Sequence, residues 1–494
     1  LIMSTLIKYN RIISTCYQQS ILFRNNTPSI LQNCSFSNSL KKMTKRVPNT
    51  NFGEYKQSIW VEFTTLAAQT KAVNLGQGFP DTPCPSFVSD YLKEIADHPE
   101  RIDYMQYTRG FGDPRLTLAL SKLYSRTLGV NVNQNNDVLV TVGAYLALYY
   151  SFTAWLNKGD EVLVIEPTYD SYVPQISAAG GVPVPVILKL DKSNIKNGLS
   201  SSDFKLDMSA LEEKVTPKTK MLVLTNPNNP IGKLYSRKEL EEIAKFVEKH
   251  DLIVVSDEVY EWHIPHSTKK IKGEGMIRFA SLPNMYDRTI TIGSAGKAFS
   301  ITGWKIGWTI APEHLSLPIR MLHQNCTFNV ATPLQVAIAR GFEKELALFE
   351  NYDKTGDEKL LKDSYLLNIL PQELESRRDE LAEILKKANL TPIIPEAGYF
   401  MLADYSNLDF QENGKKIFEI INEPKYGSVN GEDEALDYKF VRWLCIERNL
   451  ATIPLSAFYS KEFKKDNEYT IRTCFFKSDS TLKKAENILL ELKK

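Results

Sequence analysis

The sequence predicts an α/β protein, with a mainly parallel sheet in a large domain and a smaller α+β domain after it. Three observations carry this. Short apolar runs recur at EVLVIEP (161–167), KMLVLTNP (220–227), DLIVVSDE (251–258), RTITIGSA (288–295) and WKIGWTIAP (304–312). Their continuous apolar character fits strands buried on both faces, as parallel sheets require. Between several of them lie segments such as RKELEEIAKFVEKH (237–250), whose charged and apolar residues fall at helical spacing. Beyond residue 340 the pattern changes to charged, helix-rich sequence, a turn signal in PIIPEAGYF (392–400) and a last strand in IRTCFF (471–476). Residues 344–365 and 423–438 read as polar solvent loops.

At 494 residues the chain exceeds one simple core. Residues 1–53 stand apart. Glu54 is the first acidic residue, although overall composition would place about six before it. The same stretch carries Lys8, Arg11, Arg24, Lys41, Lys42, Lys45 and Arg46 among many serines. Basic, Ser-rich and acid-free is the profile of a mitochondrial presequence, so the expected location is the mitochondrial matrix. Met43 offers a second start that would remove most of it and leave a cytoplasmic form. The sheet region is expected over 85–340 and the smaller domain over 341–494.

A stretch of 19 uncharged residues, VLVTVGAYLALYYSFTAWL (138–156), matches a bilayer in length. It changes character partway, however. VLVTV is β-branched, Gly143 breaks it, and AYLALYYSFTAWL reads as a buried helix, so no membrane span is predicted. A net charge of +1 gives no reason to expect nucleic acid or an anionic membrane as partner. Six cysteines without CxxC spacing and six histidines without HxxxH or HExxH spacing argue against a metal site.

In an open α/β sheet, ligands sit beyond the carboxyl ends of the strands. The first strand delivers Gly143, Ala144 and Tyr145 at a helix start, where free backbone N–H groups suit a phosphate. The next delivers Thr168 and Tyr169, KMLVLTNP delivers Asn226, Asn228 and Asn229, DLIVVSDE delivers Asp257 and Tyr260, and RTITIG delivers Ser294 and Lys297. One edge thus collects an anion cradle, an aromatic ring, an amide, an acid, a phenol and an amine. Neither hydride nor metal chemistry requires that set, whereas pyridoxal phosphate does. Its aldehyde needs a lysine, its ring nitrogen a carboxylate, its 3′-oxygen an amide and a phenol, and its phosphate donors and a cation. Desolvation and a neighbouring positive charge such as Lys305 would lower the lysine's pKa and make it a better nucleophile.

These residues carry a resemblance. SAGKAFSITGWKIGW (294–308), NPNNPIG (226–232) and SDEVY (256–260) resemble the fold-type I pyridoxal-phosphate aminotransferases of class I/II. Within that family NLGQGFPD (74–81), LHQNCTF (322–328) and YTIRTCFFK (469–477) resemble kynurenine aminotransferases, a group also described as glutamine transaminase K or cysteine-S-conjugate β-lyase. The likeness spans about residues 58–492. It implies Lys297 as the Schiff-base lysine and proton shuttle, Asp257 on the pyridine nitrogen, Asn229 and Tyr260 on the 3′-oxygen, and Tyr169 on the ring. It implies Ser294, Lys305 and the amides of Ala144 and Tyr145 on the phosphate, with Tyr107 from the other subunit of a homodimer. Arg472 would take the substrate α-carboxylate, while Trp60, Gly78 and the other subunit's Phe328 would shape the pocket. Residues 54–84 would form an arm serving the small domain and the active site.

Plainer readings stand beside these. Asp257 also reads as a helix cap, Asn229 as a turn residue, Lys305 as a snorkelling lysine and Arg472 as half of a structural ion pair. The activity implied is ping-pong transfer of an amino group from kynurenine, or a related aromatic or large neutral amino acid, to a 2-oxo acid. The same site would permit β-lyase chemistry on substrates with a leaving group on Cβ, and a cofactor-binding regulator without catalysis is the remaining alternative.

Overall fold

The structure is a computed structural model, and it describes residues 58–193, 198–272, 275–428 and 434–493. The presequence-like segment 1–53 lies outside the described residues. Eight strands form the main sheet: β1 (Val138–Val142), β2 (Glu161–Glu166), β3 (Val182–Leu190), β4 (Phe204–Leu206), β5 (Thr219–Thr225), β6 (Ile253–Asp257), β7 (Thr289–Ser294) and β8 (Ile306–Ile310). Their order across the sheet is β1-β8-β7-β6-β5-β2-β3-β4. All run parallel except β8, which is antiparallel to both neighbours, and the edge strand β4. The inner strands are buried along nearly their whole length, which is why each reads as an unbroken apolar run.

The run 138–156 resolves as strand, turn and helix. Gly143 has φ +70° and opens the helix Gly143–Trp155, which packs on β7 and β8. Among the described residues no helix is long and apolar enough to cross a membrane. The helix over Arg237–Lys249 starts at a capping box in which Ser236 and Glu239 satisfy each other's backbone N–H groups.

A second sheet has the order β11-β12-β10-β9, where β9 is Thr391–Ile394, β10 Phe400–Asp404, β11 Ile453–Pro454 and β12 Thr470–Cys474; Leu199–Ser200 adds a short parallel edge on β9. The chain entering at Ser58 joins this part of the molecule. Its helix Ile59–Thr70 packs on the helix Leu436–Arg448, and Val73–Asn74 pairs with Leu450–Ala451.

Two expectations need correction. Residues 344–365 are not a solvent loop: the helix Thr332–Thr355 runs through most of them, burying Glu345, Leu346 and Phe349. Their charges line the outer face of a helix whose apolar residues still recur at helical spacing. Of 423–438, residues 429–433 lie outside the described residues, but Tyr426 is buried and a helix begins at Leu436. The strand β3 is absent from the sequence reading because Pro183 and Pro185 interrupt it. Both fall in the half of β3 that is paired only with β2, since β4 pairs with Leu188–Leu190 alone.

Candidate active site

The parallel strands end along one edge, and that edge floors a cavity of about 330 Å³. Registry aligns the ends: Thr225 faces Asp257, and Ser294 faces Gly307 on the reversed strand β8. Because β8 runs backwards, the residue before it, Lys305, arrives at the same edge. Gly143, Ala144 and Tyr145 follow β1 there too. The cavity is lined by Trp60, Gly78, Ala144, Tyr145, Tyr169, Asn229, Asp257, Tyr260, Ser294, Lys297, Lys305 and Arg472, which are twelve of the fourteen candidate residues. The other two, Tyr107 and Phe328, do not reach it. They pair edge to face at 5.5 Å on the surface, 80% and 56% exposed.

Lys297 Nζ donates to the Gly78 carbonyl at 3.2 Å and to the Tyr399 hydroxyl, and it lies 5.3 Å from the Tyr260 ring centroid. Burial lowers its pKa to about 8, and the positive charges of Arg472 and Lys305 push the same way against Cys474 and Asp257. Asp257 caps the next turn through a 3.3 Å bond from the Val259 N–H and accepts a short hydrogen bond from the Tyr172 hydroxyl. Burial raises its pKa despite these donors.

At the start of the helix Gly143–Trp155 no side chain caps the first N–H groups. The strand β8 approaches so closely that a Cβ on Gly307 would stand 2.4 Å from the Ala144 nitrogen. No described carboxylate pairs with Lys305, whose Nζ lies 3.4 Å from where a Gly143 Cβ would be. An uncapped helix start beside an unpaired ammonium is an anion site. Here the snorkelling reading of Lys305 gives way to a cation facing the cavity.

Arg472 is fully buried and forms no ion pair with a described residue. Its Nη1 donates to Asn229 Oδ1 at 2.9 Å and its Nη2 to the Gly76 carbonyl at 3.0 Å, while Nε has no partner. Burial lowers its pKa to about 10, so it stays charged near neutrality. A buried guanidinium without a carboxylate of its own suits an incoming one. Gly78 lets the Phe400 ring pack directly on the backbone: a Cβ there would stand 2.4 Å from that ring.

Three neighbours escaped the sequence reading. Tyr399 bonds Lys297 and the Gly78 carbonyl, Tyr172 bonds Asp257, and Asp170 accepts from the Trp60 indole at 2.9 and 3.1 Å. Their only sequence signal is proximity to the motifs TYDSY and EAGYF, which does not say which ring turns inward.

The cavity joins an amine of lowered pKa, a held carboxylate, an anion cradle and a guanidinium with no ion-pair partner among the described residues. That set suits covalent capture of an aldehyde and orientation of an amino acid by its carboxylate. Comparison with known proteins agrees. Residues 70–488 match the aminotransferase class I and II family. The chain is 41% identical to human kynurenine–oxoglutarate transaminase 3 across 92% of each chain. A Saccharomyces cerevisiae structure described as a proposed kynurenine aminotransferase superposes with TM-score 0.77 at 28% identity, covering 91% of this chain and 99% of its own. An Escherichia coli structure with a methionine aminotransferase function gives TM-score 0.72 at 29% identity, covering 90% and 99%. With the family spanning most of its length and the fold-type I architecture in common, the chain belongs to the class I and II aminotransferases.

Proposed function

We propose that the protein moves the amino group of kynurenine, or of a related aromatic or large neutral amino acid, to a 2-oxo acid, using pyridoxal 5′-phosphate. The observation that carries this reading is the convergence of Lys297, Asp257 and Arg472 on one cavity walled by Trp60, Tyr145 and Phe400. Arg472 is the only arginine in that lining, so an acidic side chain on the substrate would find no second guanidinium. The relatives named for kynurenine support the same substrate class.

The residues fit the cofactor. Lys297 would hold its aldehyde carbon, Asp257 its ring nitrogen, and Asn229 and Tyr260 its 3′-oxygen. The Asn229 carbonyl oxygen already serves Arg472, which leaves its N–H₂ group as the donor. Tyr169 would cover the ring. Ser294, Lys305 and the amides of Ala144 and Tyr145 would hold the phosphate. When bound, the group supplies an aldehyde for covalent attachment and a conjugated ring that takes up electrons from the substrate's α-carbon.

The chain supplies the rest. Arg472 fixes the amino acid by its carboxylate and so aims the α-hydrogen. Lys297 Nζ, placed beside the cavity, takes that proton as general base and later returns one. Asp257 keeps a proton on the ring nitrogen; Tyr172, donating to it, fixes its orientation.

The exposed Tyr107 and Phe328 support a homodimer in which each subunit completes the other's site, Tyr107 at the phosphate and Phe328 at the substrate. The composition of residues 1–53 supports matrix targeting, with a start at Met43 giving a cytoplasmic form; fusing 1–53 to a fluorescent protein tests it.

The deciding experiment is an absorbance spectrum of the purified protein, followed by L-kynurenine without any oxo acid. A visible Schiff-base band that kynurenine discharges, and that Lys297→Ala lacks, is the expected result. A band that ignores kynurenine keeps the cofactor and removes the substrate. No band after adding pyridoxal phosphate removes both.

A further inference from the structure

Arg472 is a buried cation with no ion-pair partner among the described residues, and aromatic rings surround it. The guanidinium carbon lies 3.8 Å from the Phe400 ring centroid, 4.8 Å from Phe458 and 5.2 Å from Trp60. The Trp60 indole N–H in turn donates to both oxygens of Asp170. No described lysine or arginine forms an ion pair with Asp170, yet its charge and that of Arg472 act on each other. The loop that carries Asp170 is also pinned. Thr168 N–H donates to the Phe458 carbonyl at 3.0 Å, and Ser460 N–H donates to Glu166 Oε2 at 2.8 Å. Asp170, Trp60 and Phe458 are thereby held as one unit around the guanidinium.

We propose that Asp170 is the standing counter-charge of the carboxylate clamp: it acts through Trp60, offsetting the charge of Arg472 without occupying the face a substrate carboxylate takes. A carboxylate in direct contact with Arg472 would compete with substrate, whereas no counter-charge would leave a buried cation uncompensated. A carboxylate one indole away leaves the guanidinium open to direct contact, offsets part of its charge, and opposes an incoming carboxylate only at a distance. Its hydrogen bond also draws the indole proton and enriches the ring that Arg472 lies against. Asp170 is a positioning residue in this account, and the inference rests on Arg472 being the carboxylate site.

The test uses holoenzyme and 3-phenylpropionate, a carboxylate with no amine, titrated by calorimetry at about neutral pH. In Asp170→Asn the amide oxygen still accepts the indole N–H, so Trp60 stays while the charge goes. The probe is expected to bind several-fold to roughly tenfold tighter, as expected for losing a competing charge several ångströms away in protein. The unliganded variant is expected to melt at lower temperature. A purely structural Asp170 would not tighten binding, so unchanged or weaker affinity overturns the proposal. Trp60→Phe removes the donor and leaves the carboxylate without its partner. It is expected to shift affinity in the same direction, and the double variant to show less than the sum of the two. Additive effects overturn the relay; if Asp170→Asn does not fold, Trp60→Phe alone is read, and unchanged or weaker probe affinity in it overturns the relay. Failure of Arg472→Lys to weaken the probe at all is a different result, which removes the assignment of Arg472 itself.

Discussion

A lysine amine set against two tyrosine rings and a carbonyl has a chemical consequence. Lys297 has too little solvent around it to keep its proton at the usual strength, and burial does most of the work. The sign follows directly. A cation whose pKa falls to about 8 on folding is mostly neutral above that pH and loses about tenfold in neutral fraction per unit below it. The rate at which the cofactor-free protein captures pyridoxal phosphate covalently is therefore expected to climb steeply from about pH 6 and level off above about 8. Stopped-flow absorbance reads it, and a rate that is flat over this range would show that the amine is not the titrating nucleophile. The motif around Lys297 was legible in the sequence. Tyr399 was not, because its ring is turned toward Lys297 by the sheet β10–β12 rather than by anything adjacent in the chain.

Among elements, β8 does the least expected thing. Its apolar run is plain in the sequence, but its direction is not, and only the reversal carries Lys305 to the edge where the parallel strands end. The reversal also brings Gly307 against the start of the helix Gly143–Trp155, closer than any side chain could stand. Gly307→Ala is expected to push Ala144 aside, weaken pyridoxal-phosphate affinity by tenfold or more and destabilise the fold by about 1–3 kcal/mol. Equilibrium dialysis and thermal melting check this; wild-type affinity would show that the helix start does not hold the phosphate. Pro183 and Pro185 hid β3 in the same way that charges hid the helix Thr332–Thr355. In each case a local signal was outweighed by the neighbour the element packs against.

For the whole molecule, the proposed homodimer, in which Tyr107 completes the other subunit's site, makes a prediction that one chain cannot express. Lys297→Ala and Tyr107→Ala, each inactive or nearly so alone, are expected to regain activity when co-expressed. In a mixed dimer one site would combine an intact Lys297 with an intact Tyr107, and the other would lack both. With random pairing about half the dimers are mixed, each with one good site, so recovery near one quarter of wild-type activity is expected. No recovery in a mixture shown to contain mixed dimers would place each site within one subunit.

The sequence by itself determined the fold class, the strands that deliver chemistry and most of the residues they deliver. This is because each such strand is buried on both faces, so its apolar run is unbroken and the polar residues that end it stand out in the sequence. What only the tertiary structure decided is who touches whom. Asp170 meets Trp60 across 110 positions, Arg472 meets Asn229 across 243, and Tyr399 meets Lys297 across 102. No local propensity encodes such contacts, because they depend on how two sheets and the entering helix pack, and packing is a property of the assembled core rather than of any segment.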